Sequence, residues 1–304
     1  MPNTIAHLGI QALVTRGVIR KAEPAWIWIG CILPDLPWIG QRAIRALPLE
    51  ISPFDVRLYA IVQSSLVFSC LAAVGLAMFA PRPARIAAIL VLGNLLHLLL
   101  DATQIKWANG VVLFAPFDWS VTGFDLYWPE DWPSHALTLL GGLTFAWLLW
   151  KSPPGAVERV RLSPRRWAVA IGALLAYLLL PVAYMETAAL QDPHYVATLR
   201  DPDARANRCV EFDRNTLEPR LGGGAVLKTW YGEFLPTIGI VPPTSTMLVS
   251  LKGCFTENDE FQVEMLHEHP PGRRSFFTFI GLLMISLWLC LSLLSQFLGS
   301  RSRD

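Results

Sequence analysis

His97 and Asp101 lie four residues apart in NLLHLLLD, a run that is otherwise Asn and Leu. On a helix this spacing puts both side chains on one face, and Asn94 and Gln104 extend the stripe at intervals of three. A neutral imidazole nitrogen and a carboxylate oxygen so placed can share one divalent cation; they can equally form a hydrogen-bonded pair that joins two helices. Thr4, His7, Gln11 and Thr15 form a second polar face at the same spacings. Asp35 stands in LPDLP, where two prolines break a helix and free backbone groups, although an Asp there also serves as a cap or turn residue. His135 opens a later apolar run, a position where histidines are commonly interfacial. Ionisable groups inside apolar spans are costly, so each of these residues is a functional candidate.

The elements that must position them are membrane-like. Of 304 residues, 53% are hydrophobic and only 16% charged, against roughly 25% charged in soluble domains. That excludes a disordered chain, and the net charge of +1 leaves no concentrated basic surface for nucleic acid. Residues 58–80, 86–100, 135–150, 167–184 and 276–298 contain no Asp, Glu, Lys or Arg, which predicts five firm spans. Two shorter apolar segments, 4–19 and 25–40, flank Arg16, Arg20 and Lys21 and read as an N-terminal helical hairpin. Arg82 and Arg85, then Lys151, Arg159, Arg161, Arg165 and Arg166, then Arg301 and Arg303 fall on one side if the spans alternate, and that side is cytoplasmic. No cleavable signal pattern is expected at the amino terminus.

Segment 191–274 is different in kind. It holds 21 of the 49 charged residues, nine basic and twelve acidic, with strand candidates at 210–213, 225–231, 246–255 and 260–265. Gly222, Gly223 and Gly224 and the pair Pro242 and Pro243 punctuate them. The expected fold is an all-α polytopic membrane bundle, five firm spans plus the hairpin, with a small extracytoplasmic β domain inserted before the last span. The divisions are 1–190 for the helical domain with its metal site, 191–274 for the β-rich domain, and 275–304 for the last span and cytoplasmic tail. Cys209 and Cys254 fall in the outer part, where an oxidising compartment favours a disulfide; two buried free thiols are the alternative.

With this orientation His7, Asp35, His97, Asp101 and His135 all come to the outer end of the bundle. The same residues, in TIAHLGI, LPDLP and HLLLDATQIKWANGVVLFAPF, resemble the family of inner-membrane-associated metal-dependent hydrolases, themselves distantly similar to zinc-dependent phospholipases C. The resemblance covers roughly the first 120 residues. Tyr59 and Ser64, in YAIVQSSLVF, stand where that family carries histidines, which weakens the ligand set it implies.

The expected function is therefore a metal-dependent hydrolase of the inner membrane, acting on a phosphoester or related ester of a lipid or lipid-linked substrate at the outer face. His7, Asp35, His97 and Asp101 would hold zinc or another divalent ion, with His135 or a water held by Asp101 as general base. A non-catalytic scaffold whose outer β domain binds a protein partner is the alternative, and the loss of the family histidines favours it. Ion or proton transport would use the same residues, yet they gather at one depth and no inverted repeat is evident. No Gly-rich phosphate loop, paired Cys-x-x-Cys or Gly-x-Ser-x-Gly elbow occurs.

Overall fold

A computed structural model describes residues 3–152, 160, 162–220 and 223–301. Arg159, Arg161, Gly222 and Arg303, used above for orientation and loop placement, lie outside the described residues. The helices are α1 (Thr4–Val18), α2 (Pro24–Ile32), α3 (Leu36–Ala46), α4 (Pro53–Gln63), α5 (Leu66–Ala77), α6 (Pro83–Ala102), α7 (Trp132–Lys151), α8 (Pro164–Gln191), α9 (Val196–Arg200) and α10 (Arg273–Arg301). Their starts follow from the sequence. Pro24, Pro37, Pro53, Pro83, Pro133 and Pro164 stand in first turns, where the missing N–H costs nothing and φ is preset. Asn3 caps α1 by accepting from the Ala6 N–H at 3.2 Å.

Among the described residues three helices, Pro83–Ala102, Pro164–Gln191 and Arg274–Ser292, are long and apolar enough to cross a membrane. Along α8 and α10 large apolar side chains such as Ile171, Leu175, Leu179, Phe279, Leu283 and Leu287 face outward, a surface that suits lipid.

The expectation of an all-α bundle with five firm spans is corrected on three counts. First, 58–80 is not one helix: α4 and α5 meet at a 70° bend, so at most this pair counts as a fourth, broken span. The break is at Ser64 and Ser65. Ser65 is extended, its Oγ donates to the Ala115 carbonyl at 3.1 Å, and the Leu66 N–H donates to the Leu113 carbonyl at 3.3 Å. A loop from 103–131 therefore takes over backbone groups that a continuous helix would satisfy. Second, α7 has the length of a span but not the apolarity, because Trp132, Pro133, Ser134, His135, Thr138, Gly141, Gly142 and Thr144 dilute it.

The chain is also not all-α. Strands β1 (Cys209–Pro219), β2 (Ala225–Lys228), β3 (Phe234–Ile238), β4 (Met247–Phe255) and β5 (Phe261–His269) close a barrel in the order β1-β2-β3-β5-β4, antiparallel except for the β3–β5 pair. Such a topology does not by itself assign a function. Phe212, Leu227, Val249, Leu251, Phe255 and Phe261 fill its interior, as the strand alternation requires.

Cys209 and Cys254 are register partners on β1 and β4 and form a disulfide; Cys31, Cys70 and Cys290 are free. Alkylation of denatured, unreduced protein is thus expected to label three cysteines, and all five after reduction. Five labelled without reduction would exclude the bridge.

The barrel is seated by polar contacts on loops at one end of the bundle. The Ala108 N–H donates to Glu211 Oε2 and Asn109 Nδ2 to Asp213 Oδ2, each at 2.8 Å, while Arg57 donates to Asn109 Oδ1 at 2.6 Å. Arg45 reaches the Trp230 carbonyl and Arg200 pairs with Asp55.

Candidate metal centre

α1 is largely enclosed, with His7, Gln11 and Thr15 on buried positions. It can lie so deep because Gly9 meets Gly141 of α7 backbone to backbone: a Cβ built on Gly9 would fall 2.2 Å from Gly141 Cα. Glycine pairs of this kind let apolar helices approach closely. α6 brings His97 and Asp101 to the same place, as the four-residue spacing requires. Between α2 and α3 the short 3₁₀ turn Leu33–Asp35 sets Asp35 opposite them.

The four ligands expected from the sequence come together. His7 Nε2 lies 3.2 Å from Asp101 Oδ1, His97 Nε2 lies 3.5 Å from Asp35 Oδ1 and 3.9 Å from Asp101 Oδ2, and the two imidazoles stack with centroids 4.1 Å apart. One ligand atom each from His7, His97 and Asp101 falls within 4.8 Å of the others, so this group could hold a metal ion. His97 Nδ1 donates to the Cys31 carbonyl at 2.6 Å. That bond fixes the tautomer and turns the Nε2 lone pair toward the carboxylates, the outer-shell arrangement usual behind metal-bound histidines. Both ring nitrogens of His7, Asp35 Oδ1 and Asp101 Oδ1 are buried and have no hydrogen-bond partner among the described residues. Leaving such groups unsatisfied costs roughly 1–3 kcal/mol apiece. A cation among them removes that cost, so the donor set fits a metal.

Two residues of this neighbourhood were not anticipated. Lys106 Nζ lies 3.0 Å from Asp101 Oδ2, with both side chains buried; it is five residues on, just past the helix end, where the helical spacing rule no longer applies. His194, in the loop after α8, lines the same cavity as Asp35, Trp38, Ser64, His97 and Asp101. Its Nε2 donates to the Gly110 carbonyl at 2.8 Å, which leaves Nδ1, buried and unpaired, as a free acceptor. A histidine beside a proline at the end of an apolar run was the available signal.

Burial pushes the His194 pKa down to about 3, and the charge of Arg57 adds to the effect. The unfolded chain takes up this proton near 6.5 while the folded protein refuses it, so stability falls as pH drops from about 6.5 toward 3, by up to about 1.4 kcal/mol per unit. His194→Gln is expected to flatten the thermal-midpoint curve across that window; a slope equal to that of the parent protein would mean that His194 is not the group.

His135 is not brought to this site. It lines a different cavity with Asn3, Glu130, Ser134, Arg214 and Arg274, so its expected role as general base at His97 and Asp101 is withdrawn. The reason is register: residue 135 stands in the first turn of α7, on the barrel side, whereas α7 meets α1 a turn and a half further on, at Gly141. Compared with known proteins, the chain matches no family model, no curated protein and no solved structure.

Proposed function

We propose that the protein is a membrane-embedded, metal-dependent hydrolase that cleaves a phosphoester or related ester of a lipid or lipid-linked substrate at the outer face of the inner membrane. One observation carries this reading: buried oxygen and nitrogen atoms of His7, Asp35 and Asp101, without hydrogen-bond partners among the described residues, converge on the oriented Nε2 of His97. Two imidazoles and carboxylates are the donor set that suits zinc. When bound, the ion supplies a water of lowered pKa and polarises the ester oxygen. Lys106, already against Asp101, adds positive charge for an anionic ester. The Nδ1 of the neutral His194 accepts a hydrogen bond in the cavity, and the apolar wall of Trp38, Ile61, Leu98 and Val112 keeps bulk water from the cluster. The disulfide in the barrel and the Arg and Lys of the opposite loops support an outward-facing site.

The second reading is a non-catalytic scaffold whose barrel binds a partner. Favouring it, the two positions where the resembled family has histidines serve packing here: the Tyr59 hydroxyl donates to the Leu178 carbonyl at 2.9 Å and Ser64 Oγ to the Ile61 carbonyl at 3.1 Å. A single assay separates the two. Protein in detergent is stripped with a chelator, reloaded with zinc and offered a synthetic phosphodiester and phospholipid vesicles. Hydrolysis lost on stripping and regained with zinc is the expected result; no turnover of any ester by the loaded protein favours the scaffold.

A further inference from the structure

Apart from the cluster of His7, His97 and Asp101, one more group of described residues brings three ligand-type atoms together. Glu130 ends the loop before α7, and His267 and His269 lie on β5. The two histidines are two residues apart on a strand, so they leave it on one face. His267 Nε2 is 2.5 Å and His269 Nδ1 is 2.9 Å from the same oxygen, Glu130 Oε1, and one ligand atom from each residue falls within 4.8 Å of the others.

The surroundings hold these donors in place. His269 is fully buried, and its Nε2 lies 2.7 Å from Ser250 Oγ. Ser250 Oγ in turn donates to Asp213 Oδ1 at 3.0 Å. A hydroxyl has a single proton to give; once it goes to the Asp213 carboxylate, Ser250 accepts from His269 Nε2–H. His269 Nδ1 then carries a lone pair that faces Glu130. Arg214 Nη1, which can only donate, lies 3.1 Å from that Nδ1 and agrees with the same tautomer. The indole of Trp128 lies flat on His267, with centroids 3.7 Å apart and planes within 1°, which fixes that ring. Two oriented imidazoles and a carboxylate, backed by a second tier of hydrogen bonds, are a zinc-type donor set with one position left for water. Ligands around an ion at about 2 Å stand about 3.3 Å apart, so each of the two Glu130–histidine pairs need open by less than about 1 Å.

We propose that Glu130, His267 and His269 bind a second divalent cation, of the zinc class, that fastens the barrel to the outer loop of the helical bundle. The ligands join residues 137 apart in the chain, one on the bundle side and two on β5. In the metal-free protein Arg214, with Nη1 at 3.8 Å from Glu130 Oε2, supplies the counter-charge; its flexible stem lets the guanidinium swing out when the ion enters. This site is independent of the reading given to His97 and Asp101.

The test uses the full-length protein in detergent, stripped and then dialysed against zinc alone, with metal counted per chain. Two ions are expected in the parent protein, one after His97→Ala and one after His267→Ala with His269→Ala. Zinc is also expected to protect the loop 103–131 from protease in the parent protein and in His97→Ala but not in Glu130→Gln, a variant of nearly unchanged shape whose intact disulfide reports a folded barrel. Equal zinc content in the parent protein and the double histidine variant overturns the site, and protection that survives Glu130→Gln overturns the fastening. If the parent protein holds one ion, and only the double variant loses it, the first site fails while this one stands.

Discussion

Purified His97→Ala is expected to lose zinc from the bundle site and to lose ester hydrolysis with it, with a fall in metal affinity of well over 100-fold. Replacing groups merely behind a metal ligand costs about 10–100-fold, and His97 stands in front of them. It faces Asp35 at 3.5 Å and Asp101 at 3.9 Å and stacks on His7, so its removal takes away one donor and the surface that aligns another. Measurement in a Glu130→Gln background leaves the bundle site as the reporting one. His97→Gln, which keeps a polar group near the Cys31 carbonyl, separates lost ligation from lost packing: it is expected to fold like the parent protein and still fail to hold the ion. Zinc held by His97→Ala as tightly as by the parent protein would dismiss the site.

How far the sequence reveals this centre depends on which physical signal each residue carries. His7, His97 and Asp101 stand out because polar residues at helical spacing are conspicuous among leucines, and Asp35 because two prolines mark its turn. Lys106 and His194 sit in loops, where no period links them to a helix face, and only the return of the chain over this end of the bundle brings them in. His267 and His269 carry a period-two signal, but their partner Glu130 is remote in sequence, so nothing local points to the group. The bend between α4 and α5 is hidden for a related reason. Residues 58–80 contain no charge to mark a break, and what splits them is hydrogen bonding to Leu113 and Ala115 from a distant loop. Four of the five strands are legible through alternation; β3 is not, since Pro236 stands inside it, and barrel closure through the parallel β3–β5 pair is a long-range pairing that alternation does not encode.

Gly141→Ala is expected to weaken both the fold and the bundle metal site, while Gly142→Ala leaves both close to the parent protein. The two glycines are neighbours on α7, equally apolar and equally poor helix formers, so propensity alone predicts a slight gain from either change. Contact geometry separates them. A Cβ on Gly141 would fall 2.0 Å from the Ile5 carbonyl oxygen and 2.7 Å from its carbon, whereas one on Gly142 meets only Ile5 Cγ2 at 4.0 Å. Backbone cannot rotate aside as a side chain can, so α1 must shift, and strain of this kind costs about 1–3 kcal/mol. Ile5 is two residues from His7, and the shift therefore carries an imidazole away from Asp101, whose oxygen now stands 3.2 Å from it. Thermal midpoint and zinc affinity are expected to fall together in Gly141→Ala, and zinc is expected to recover less of the lost stability than it gives the parent protein. Were the two alanine variants equal in both measurements, α1 would not owe its position to the Gly9–Gly141 contact, and the placement of His7 would need another cause.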